Sequence, residues 1–463
     1  MSGDGAPVYW TRAVPPGGRA VMTESRTGAG AGDPDEMVRL HTYGELTVAF
    51  TTDFTRDYDN DGAGAHVAGS AYHPEYPQWM KDRNEDWYWL GGLTLQTLSL
   101  DDGTQAMPFV KPSGAAPPDG KGPILKAPAS WTWMYDDSGA HAHMAGTCYR
   151  PVPPAGYVAL GDAFTDGVDG THRVPDPATW PFSHFMCVRE DYAHAGSYGA
   201  WIWNDDHSKG DYAFTGWQVS AALPEGATFS DEGRRMLLAV NTFLTDPRTS
   251  HPSTPPTSPT PYVLSLPVQG TSTGNTPAVP QLTSQTQPAE YTTATVDYSV
   301  VVPFTGITDT ELSLTQKTDG SAFYTVERQN RYHLVDFGTN TSNTDNPGNT
   351  RQVSVGISDS QSSTFTQTYG LEVGYERGIG LKPELSTIHF NLSTQLGYAT
   401  TTQVSVMVTE TLTQGMPLPA QSSAALWAGS HRICPRRADG TYIDPDQGQP
   451  FDLNQTLVYD TSP

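Results

Sequence analysis

The chain has 463 residues, with 26 Lys plus Arg against 50 Asp plus Glu, for a formal net charge of −24. That sign excludes a sequence-independent nucleic-acid binder, which needs cations opposite the phosphates, and simple electrostatic adhesion to anionic lipid. With 45 Gly, 38 Pro, 16% charged and 10% aromatic residues, the composition suits many short strands and turns, an all-β chain of two or more domains.

The N-terminal stretch MSGDGAPVYWTRAVPPGG carries no apolar core of a secretory signal. A protein released from its cell without a visible signal peptide is expected. No run approaches the roughly 18 apolar residues of a membrane helix. Cys148, Cys187 and Cys434 are far apart and form no C-x-x-C, so neither a zinc site nor a disulfide framework is expected.

The first half repeats itself. YDNDGAGAHVAGSAYHP (58–74) and YDDSGAHAHMAGTCYRP (135–151) share ten of seventeen positions without a gap. DWYWLGG (86–92) follows the first copy and GYVALGD (156–162) the second. WTWMYDD (131–137) opens the second, and a third, degraded copy begins at WIWNDD (201–206) and ends near FTGWQV (214–219). On this match Trp131 and Trp133 correspond to Trp201 and Trp203, with Asp136 and Asp137 near Asp205 and Asp206. One such unit cannot bury its own apolar face, but three packed around an axis can. The expectation is a pseudo-threefold β-prism-like domain, with a β-trefoil-like one as the alternative; the long, irregular repeats favour the prism.

Asp57, Asp59, Asp61 and Gly62 spell D-x-D-x-D-G, the opening of a calcium loop. Ala68 stands where the bidentate Glu belongs, so turn capping by these Asp side chains is the more economical reading. His66 and His143 recur at equivalent positions, beside His141, and read as packed, hydrogen-bonded histidines rather than metal ligands. Aromatic faces beside Asp turns also suit a sugar, which makes Asp59, Asp61, Trp133, Asp136, Asp137, Trp203, Asp205 and Asp206 candidates for receptor binding.

This region resembles the vacuolar-protein-sorting 62 family through WTWMYDDSGAHAHMAGTCYRPVPPAGYVALGDAFTDG (131–167), CVRED (187–191) and WIWNDD. In bacteria, related modules resemble those attached to toxins acting on insects. The GEHVGDWEH-type segment of the plant members is missing, and nothing linked to it is carried over.

A helix is expected after Ser230. Asp231 and Glu232 suit a first turn, and Met236, Leu237, Val240 and Phe243 share a helical face. DPRTSHPSTPPTSPTP (246–261) follows as an extended connector, because its prolines remove donors and hold φ. The expected division is 1–245, a repeat-built receptor-binding domain; 246–261, the connector; and 262–463, an elongated β domain. Strands are expected at YVLSLPV (262–268), TVDYSVVVPF (295–304), AFYTVERQNRYHLVDF (322–337) and SAALWAGSHRICPRR (423–437).

Two long alternating runs follow the third of these. Over 352–379 the odd positions include Val353, Val355, Ile357, Phe365, Tyr369, Leu371, Val373, Tyr375 and Ile379, while the even ones are mostly Ser, Thr, Gly and Glu. After a turn at GLKPELS (380–386), which contains Leu381, the even positions carry Ile388, Phe390, Leu392, Leu396 and Tyr398 and continue to about 413. Unbroken, each run reaches roughly 85–90 Å, against a mean strand of about 5–6 residues. A Ser/Thr face suits water or a barrel lumen and the opposite face lipid. A membrane strand needs only about 9–11 residues. The same pattern suits a hairpin in an adhesin-like sandwich.

STFTQTYGLEVGYERGIGLKPELSTIHFNLSTQLGYATTTQVSVMVTETLTQGMPLP (363–418) resembles the aerolysin-type family of epsilon and mosquitocidal toxins. The resemblance implies a soluble monomer that binds a surface receptor, glycan or protein, oligomerises with its own copies on the target-cell membrane, and inserts one hairpin per subunit into a β-barrel. The inserting residues would be Phe365, Tyr369, Leu371, Val373, Tyr375, Ile379, Leu381, Ile388, Phe390, Leu392, Leu396 and Tyr398. Glu372 and Glu376 fall on the polar face; Arg377 falls on the apolar face and would have to snorkel. No G-x-S-x-G, H-E-x-x-H, phosphate-cradling loop or strand-following G-x-G-x-x-G is present, so neither an enzyme nor a cofactor is expected. The alternative is a non-lytic carbohydrate-binding lectin or adhesin.

Overall fold

A computed structural model describes residues 33–167, 174–224, 234–247, 254–355, 371–374, 378–381, 388–390, 395–397, 410–443, 450–451 and 457–463. The described chain is all-β apart from short helical turns. β1 (Leu40–Tyr43) pairs with β2 (Leu46–Thr51), and from β2 onward one topology occurs three times.

In copy one, β2 and β3 (Phe54–Asp59) make a bent edge. β4 (Ser70–Pro74) pairs with β3, and a short helix, α1 (Gln78–Arg83), follows it. The opposite edge runs from Tyr88 into β5 (Leu93–Leu95), which pairs with β4; β6 (Met107–Pro112) pairs with β2, and its Val110 bridges Tyr88. Copy two repeats this with the edge β7 (Leu125–Lys126) and β8 (Ser130–Asp136), then β9 (Gly146–Val152), the edge β10 (Tyr157–Val158) and β11 (Ala163–Asp166), and β12 (Cys187–Arg189). β9 lies between β8 and β11, and β12 between β7 and β10. Copy three uses β13 (Ala193–Ala195) and β14 (Ser197–Asn204), β15 (Thr215–Ser220), β16 (Arg235–Leu238) and β17 (Phe243–Asp246), and β18 (Tyr262–Pro267). β15 lies between β14 and β17, and β18 between β13 and β16. The proline-rich stretch therefore joins two strands of one copy.

The second edges bend where the copies meet. Leu90, Leu160 and Val240 are each 1% exposed and enter one core. A Cβ on Gly91 or Gly161 would lie 2.3 or 1.9 Å from Thr242 Oγ1, so glycine in copies one and two makes room for the threonine of copy three.

The helix expected over 230–243 is not formed. Its described part is β16, a left-handed Asn241 (φ 56) and β17; Ser230, Asp231 and Glu232 lie outside the described residues. A short apolar run satisfies a helix or a doubly buried strand equally well. Here Met236 and Leu238 face the main core while Leu237 faces the cluster of Val219, Leu244 and Val263. The genuine cap signal lies elsewhere. Ser313 and Gln316 form a capping box at α2 (Leu314–Gly320).

The C-terminal sheet begins with β19 (Thr271–Ser272), β20 (Thr295–Pro303) and the 18-residue β21 (Phe323–Asn340). β22 (Asn346–Val355), β23 (Leu371–Gly374), β24 (Gly378–Leu381), β25 (Ile388–Phe390) and β26 (Glu410–Leu418) follow. The 15-residue β27 (Ser422–Arg436), β28 (Pro450–Phe451) and β29 (Leu457–Ser462) close the sheet, ordered β19-β20-β21-β27-β28 with β29 also on β27. β18, β20, β21 and β27 fall where strands are expected from the sequence. Val300, Val302, Phe323 and Val326 share one core with Leu46, Phe50, Leu238 and Leu264. Arg328 grips Asp297 bidentately at 2.8 and 2.6 Å, and Arg437 does the same to Asp309.

Two details of the expected long hairpin differ. β23 pairs with β24 from Leu371↔Leu381 to Gly374↔Gly378, so the reversal leaves three residues, 375–377, between its ends rather than falling at 380–386. Tyr375, Glu376 and Arg377 lie outside the described residues. Among the described residues Ile388–Phe390 pairs with neither β23 nor β24; it adds to β16, where burying Ile388 (3% exposed) repays the register.

Candidate functional site

The repeated turns form one end of the threefold body. Asp59 Oδ1 accepts from Asp61 N (3.1 Å), Asp136 Oδ1 from Ser138 N (2.9 Å) and Asn204 Oδ1 from Asp206 N (3.3 Å). The next residue in each copy reaches nine positions ahead to the returning strand: Gly69 N donates to Asn60 Oδ1 (2.8 Å), Gly146 N to Asp137 Oδ1 (3.3 Å) and Phe214 N to Asp205 Oδ1 (2.8 Å). These bonds align Trp203 with Tyr58 and Tyr135, and so Trp201 with Trp133, two residues from the pairing that the W-x-W motif suggests. Tyr58, Tyr135 and Trp203 are all 0% exposed, and the Tyr58 ring lies 6.3 and 5.8 Å from the other two.

The turns also bind one another in a circle. His66 N donates to Asp206 O (3.1 Å), His143 N to Asp61 O (2.7 Å) and Asp211 N to Ser138 O (2.8 Å), one bond at each boundary between copies. His66 and His143 are thus equivalent, as the repeat predicts.

Among the receptor-binding candidates, Asp59, Asp136, Asp205 and Trp203 are buried. Asp61, Asp206 and Trp133 reach the surface, and Asp137 closes its turn. The calcium candidates do not converge. Asp57 binds His73 at 2.8 Å, Asp59 meets Arg56 at 3.0 Å, and Asp61 meets His143 at 3.0 Å. Among the described residues, one group could hold a metal: the exposed His66, Asp206 and His207, whose ligand atoms all lie within 4.8 Å of one another. The two imidazoles stack with centroids 3.7 Å apart. Two imidazoles and a carboxylate suit a borderline cation such as zinc.

The second feature is the insertion between β22 and β26. Their ladder runs from Asn346↔Leu418 to Val355↔Glu410, so residues 356–409 leave and re-enter on one rung. The inserted chain is docked on the body. β25 adds to β16 through Met236↔Phe390, Leu237↔His389 and Leu238↔Ile388. Gly270 N donates to Gln395 Oε1 (2.6 Å), and Leu396 is fully buried in the main core. A Cβ on Gly270 would lie 1.8 Å from Gln395 O, and one on Gly397 (φ +70) 2.5 Å from the Tyr298 ring.

Of the inserting residues expected from sequence, Leu371 and Val373 lie in β23, Ile379 and Leu381 in β24, and Ile388 and Phe390 in β25. Phe365, Tyr369, Tyr375, Leu392 and Tyr398 lie outside the described residues. Sequence reading missed the dock formed by Gly270, Gln395 and β16. The spacing of LGG (90–92), LGD (160–162) and VNT (240–242) would have revealed β16 as the third edge.

No family model and no curated protein matches the chain. Among solved structures it is similar to GNIP1Aa from Chromobacterium piscinae, at 20% identity over 45% of this chain and 34% of that one, with a TM-score of 0.33. It is also similar to Cry35Ab1, at 11% identity over 73% of this chain and 89% of that one, with a TM-score of 0.31. The match to GNIP1Aa thus spans about a third of that protein's length. Both scores fall below the level at which a shared fold follows.

Proposed function

We propose that the chain is a secreted β pore-forming toxin. Its three-copy body binds a receptor on the target cell, copies of the chain assemble on the membrane, and the 356–409 insertion leaves its dock to become the inserted hairpin. No catalytic role is part of this reading. The observation that carries it is the register of β22 and β26. Val355↔Glu410 and Thr350↔Gly415 lie on one diagonal. Extended along that diagonal, the ladder reverses at Lys382–Pro383, inside GLKPELS, and sets Val373 opposite Leu392 and Tyr375 opposite Phe390. Apolar residues then line one face, apart from Arg377 opposite Ile388 near the tip, which snorkels, and Ser, Thr, Gly and Glu the other, as a barrel wall in lipid requires. The docked and extended pairings exclude each other, because β23–β24 and β25–β16 must part before the longer ladder forms. Backbone bonds given up at the dock are regained in the hairpin, so the exchange needs no unpaired strand in lipid.

The test is a cysteine pair at Val373 and Leu392. It should cross-link in membrane-bound oligomers and not in the soluble protein; cross-linking in neither state overturns the reading. The non-lytic lectin or adhesin remains the second reading, favoured by the burial of Ile388 and Leu396 in the main core, which a permanent architectural strand would share.

A further inference from the structure

The three boundaries between copies are equivalent in fold and different in chemistry. Counting from the aligned turns, Asp57, Met134 and Ile202 occupy one position, and His73, Arg150 and Gln218 another. Between copies two and three the groove is filled. Arg150 binds Asp162 through Nε and Nη2 at 2.8 and 2.7 Å and reaches Thr245 O at 2.7 Å. Between copies three and one an open groove is lined by Gln96, Trp201 and Gln218. Between copies one and two lies a cavity of about 310 Å³, with Asp57 and His73 on its wall and Trp180 beside it.

This last site is built. Asp57 is 4% exposed; its Oδ1 binds His73 Nδ1 at 2.8 Å, while its Oδ2 has no hydrogen-bond partner among the described residues. A buried acceptor left so is destabilising, and a ligand donor would relieve it. His73 Nε2 faces Glu75 Oε1 at 3.4 Å, so one imidazole holds two carboxylates in place. Burial opposes a charge on that imidazole, but Asp57 and Glu75 outweigh it and raise His73 to about 9. Trp180 is 37% exposed, large for so apolar a ring, and is held edge-on by Tyr76 at 4.8 Å. Its Nε1 lies 3.4 Å from Glu75 Oε1.

We infer that this groove binds one neutral sugar residue of a glycan, with the sugar's C–H face on the Trp180 ring and its hydroxyls donating to Asp57 and Glu75. The volume stands at the low end of the roughly 300–1,000 Å³ of small-ligand sites, room for a single ring. Acceptors outnumber donors on the wall, since Asp176 lines it too while Arg56 is taken by Asp59. That balance suits hydroxyl donors and repels sialylated or sulfated sugars. The inference rests on the receptor-binding half of the proposed function and is independent of pore formation.

The test uses the full chain on a panel of neutral, sialylated and sulfated glycans, read as binding without lysis, followed by titration of the best neutral glycan. Wild type should bind neutral glycans and not their sialylated or sulfated forms. Trp180→Ala and Asp57→Asn should each weaken binding by about tenfold or more, a loss of about 1.4 kcal/mol. Gln218→Ala, in the copy-three groove, should leave it within about twofold. Thermal melts of the Trp180 and Asp57 variants separate a loss of binding from a loss of fold, and Trp180→Phe, which keeps an apolar ring against Tyr76, should retain more binding than Trp180→Ala. The inference is overturned if no neutral glycan binds, if Trp180→Ala binds as wild type, or if the Gln218 variant is the one that fails. Pore formation with glycan binding absent would leave the insertion reading intact while removing this one.

Discussion

Each turn of the threefold body is closed by a single side chain reaching nine residues ahead. Asp205 is the clearest case. Burial raises its carboxyl above the usual range, while the backbone of Phe214 opposes that shift. Asp205→Ala should cost about 1–3 kcal/mol, whereas Asp206→Ala, one residue on and exposed, should stay within about 0.5 kcal/mol; urea denaturation of the two compares them directly. The capping role of Asp59 was legible, because an Asp side chain that accepts from the N–H two residues on has a mechanism, whereas Asp57 and Asp61 pair with His73 and His143 instead. The role of Trp203 was not. The W-x-W motif aligned two tryptophans by name, while the fold aligns the aromatic residue that precedes the turn, whatever its type.

His73 makes a pH prediction whose sign follows from its partners. Its folded value is raised to about 9 from an ordinary 6.5. The stability it contributes is therefore full below 6.5 and lost as pH rises through 9. Glu75 is lowered by its hydrogen bond to His73, so its contribution is present above the ordinary 4.5 and lost as pH falls. Wild type should thus exceed His73→Gln in stability most clearly between 4.5 and 6.5, and the gap should close above about 9. A gap that widens on raising the pH would contradict the pairing.

At the scale of elements, the longest strands were the easiest to read and the shortest the hardest. β21 and β27 lie where strands are expected, and their ladder runs from Thr325↔Arg436 to Asn340↔Ser422 with one shift between Leu334 and Asp336. β16 is four residues of apolar sequence, which no local pattern distinguishes from a helix turn; its identity comes from its neighbours β18 and β25. The dock at Gly270 is equally invisible, since it depends on a backbone approaching from 125 residues away. Gly270→Ala has no room for its Cβ against the Gln395 carbonyl. It should loosen the insertion, so that limited proteolysis cuts within 382–409 sooner than in wild type; an unchanged cleavage pattern would show that the dock does not hold the insertion.

For the whole molecule, composition suggests a connector at 246–261, yet the chain on its far side completes copy three. Val263, Leu264 and Leu266 of β18 are all 0% exposed between β13 and β16. A single protease cut within 254–261 should therefore leave two fragments that co-elute in native chromatography and separate only in denaturant. Fragments that part without denaturant would contradict the paired position of β18.

The central claim is that the insertion leaves β16 to enter the membrane. The most direct measurement is dye release from liposomes of target-cell lipid by a protein carrying Leu237→Cys and His389→Cys, residues directly opposite across β16 and β25. Opposed pairs bring Cβ atoms to about 4.5–5.5 Å, near disulfide reach. The native Cys148, Cys187 and Cys434 are buried, and burial pushes the Cys187 and Cys434 thiols up to about 12 and 11, so they should not compete. Membrane binding is expected in both redox states, with no release while the bond is closed and release restored by reductant. Equal release from the closed and reduced forms would contradict it.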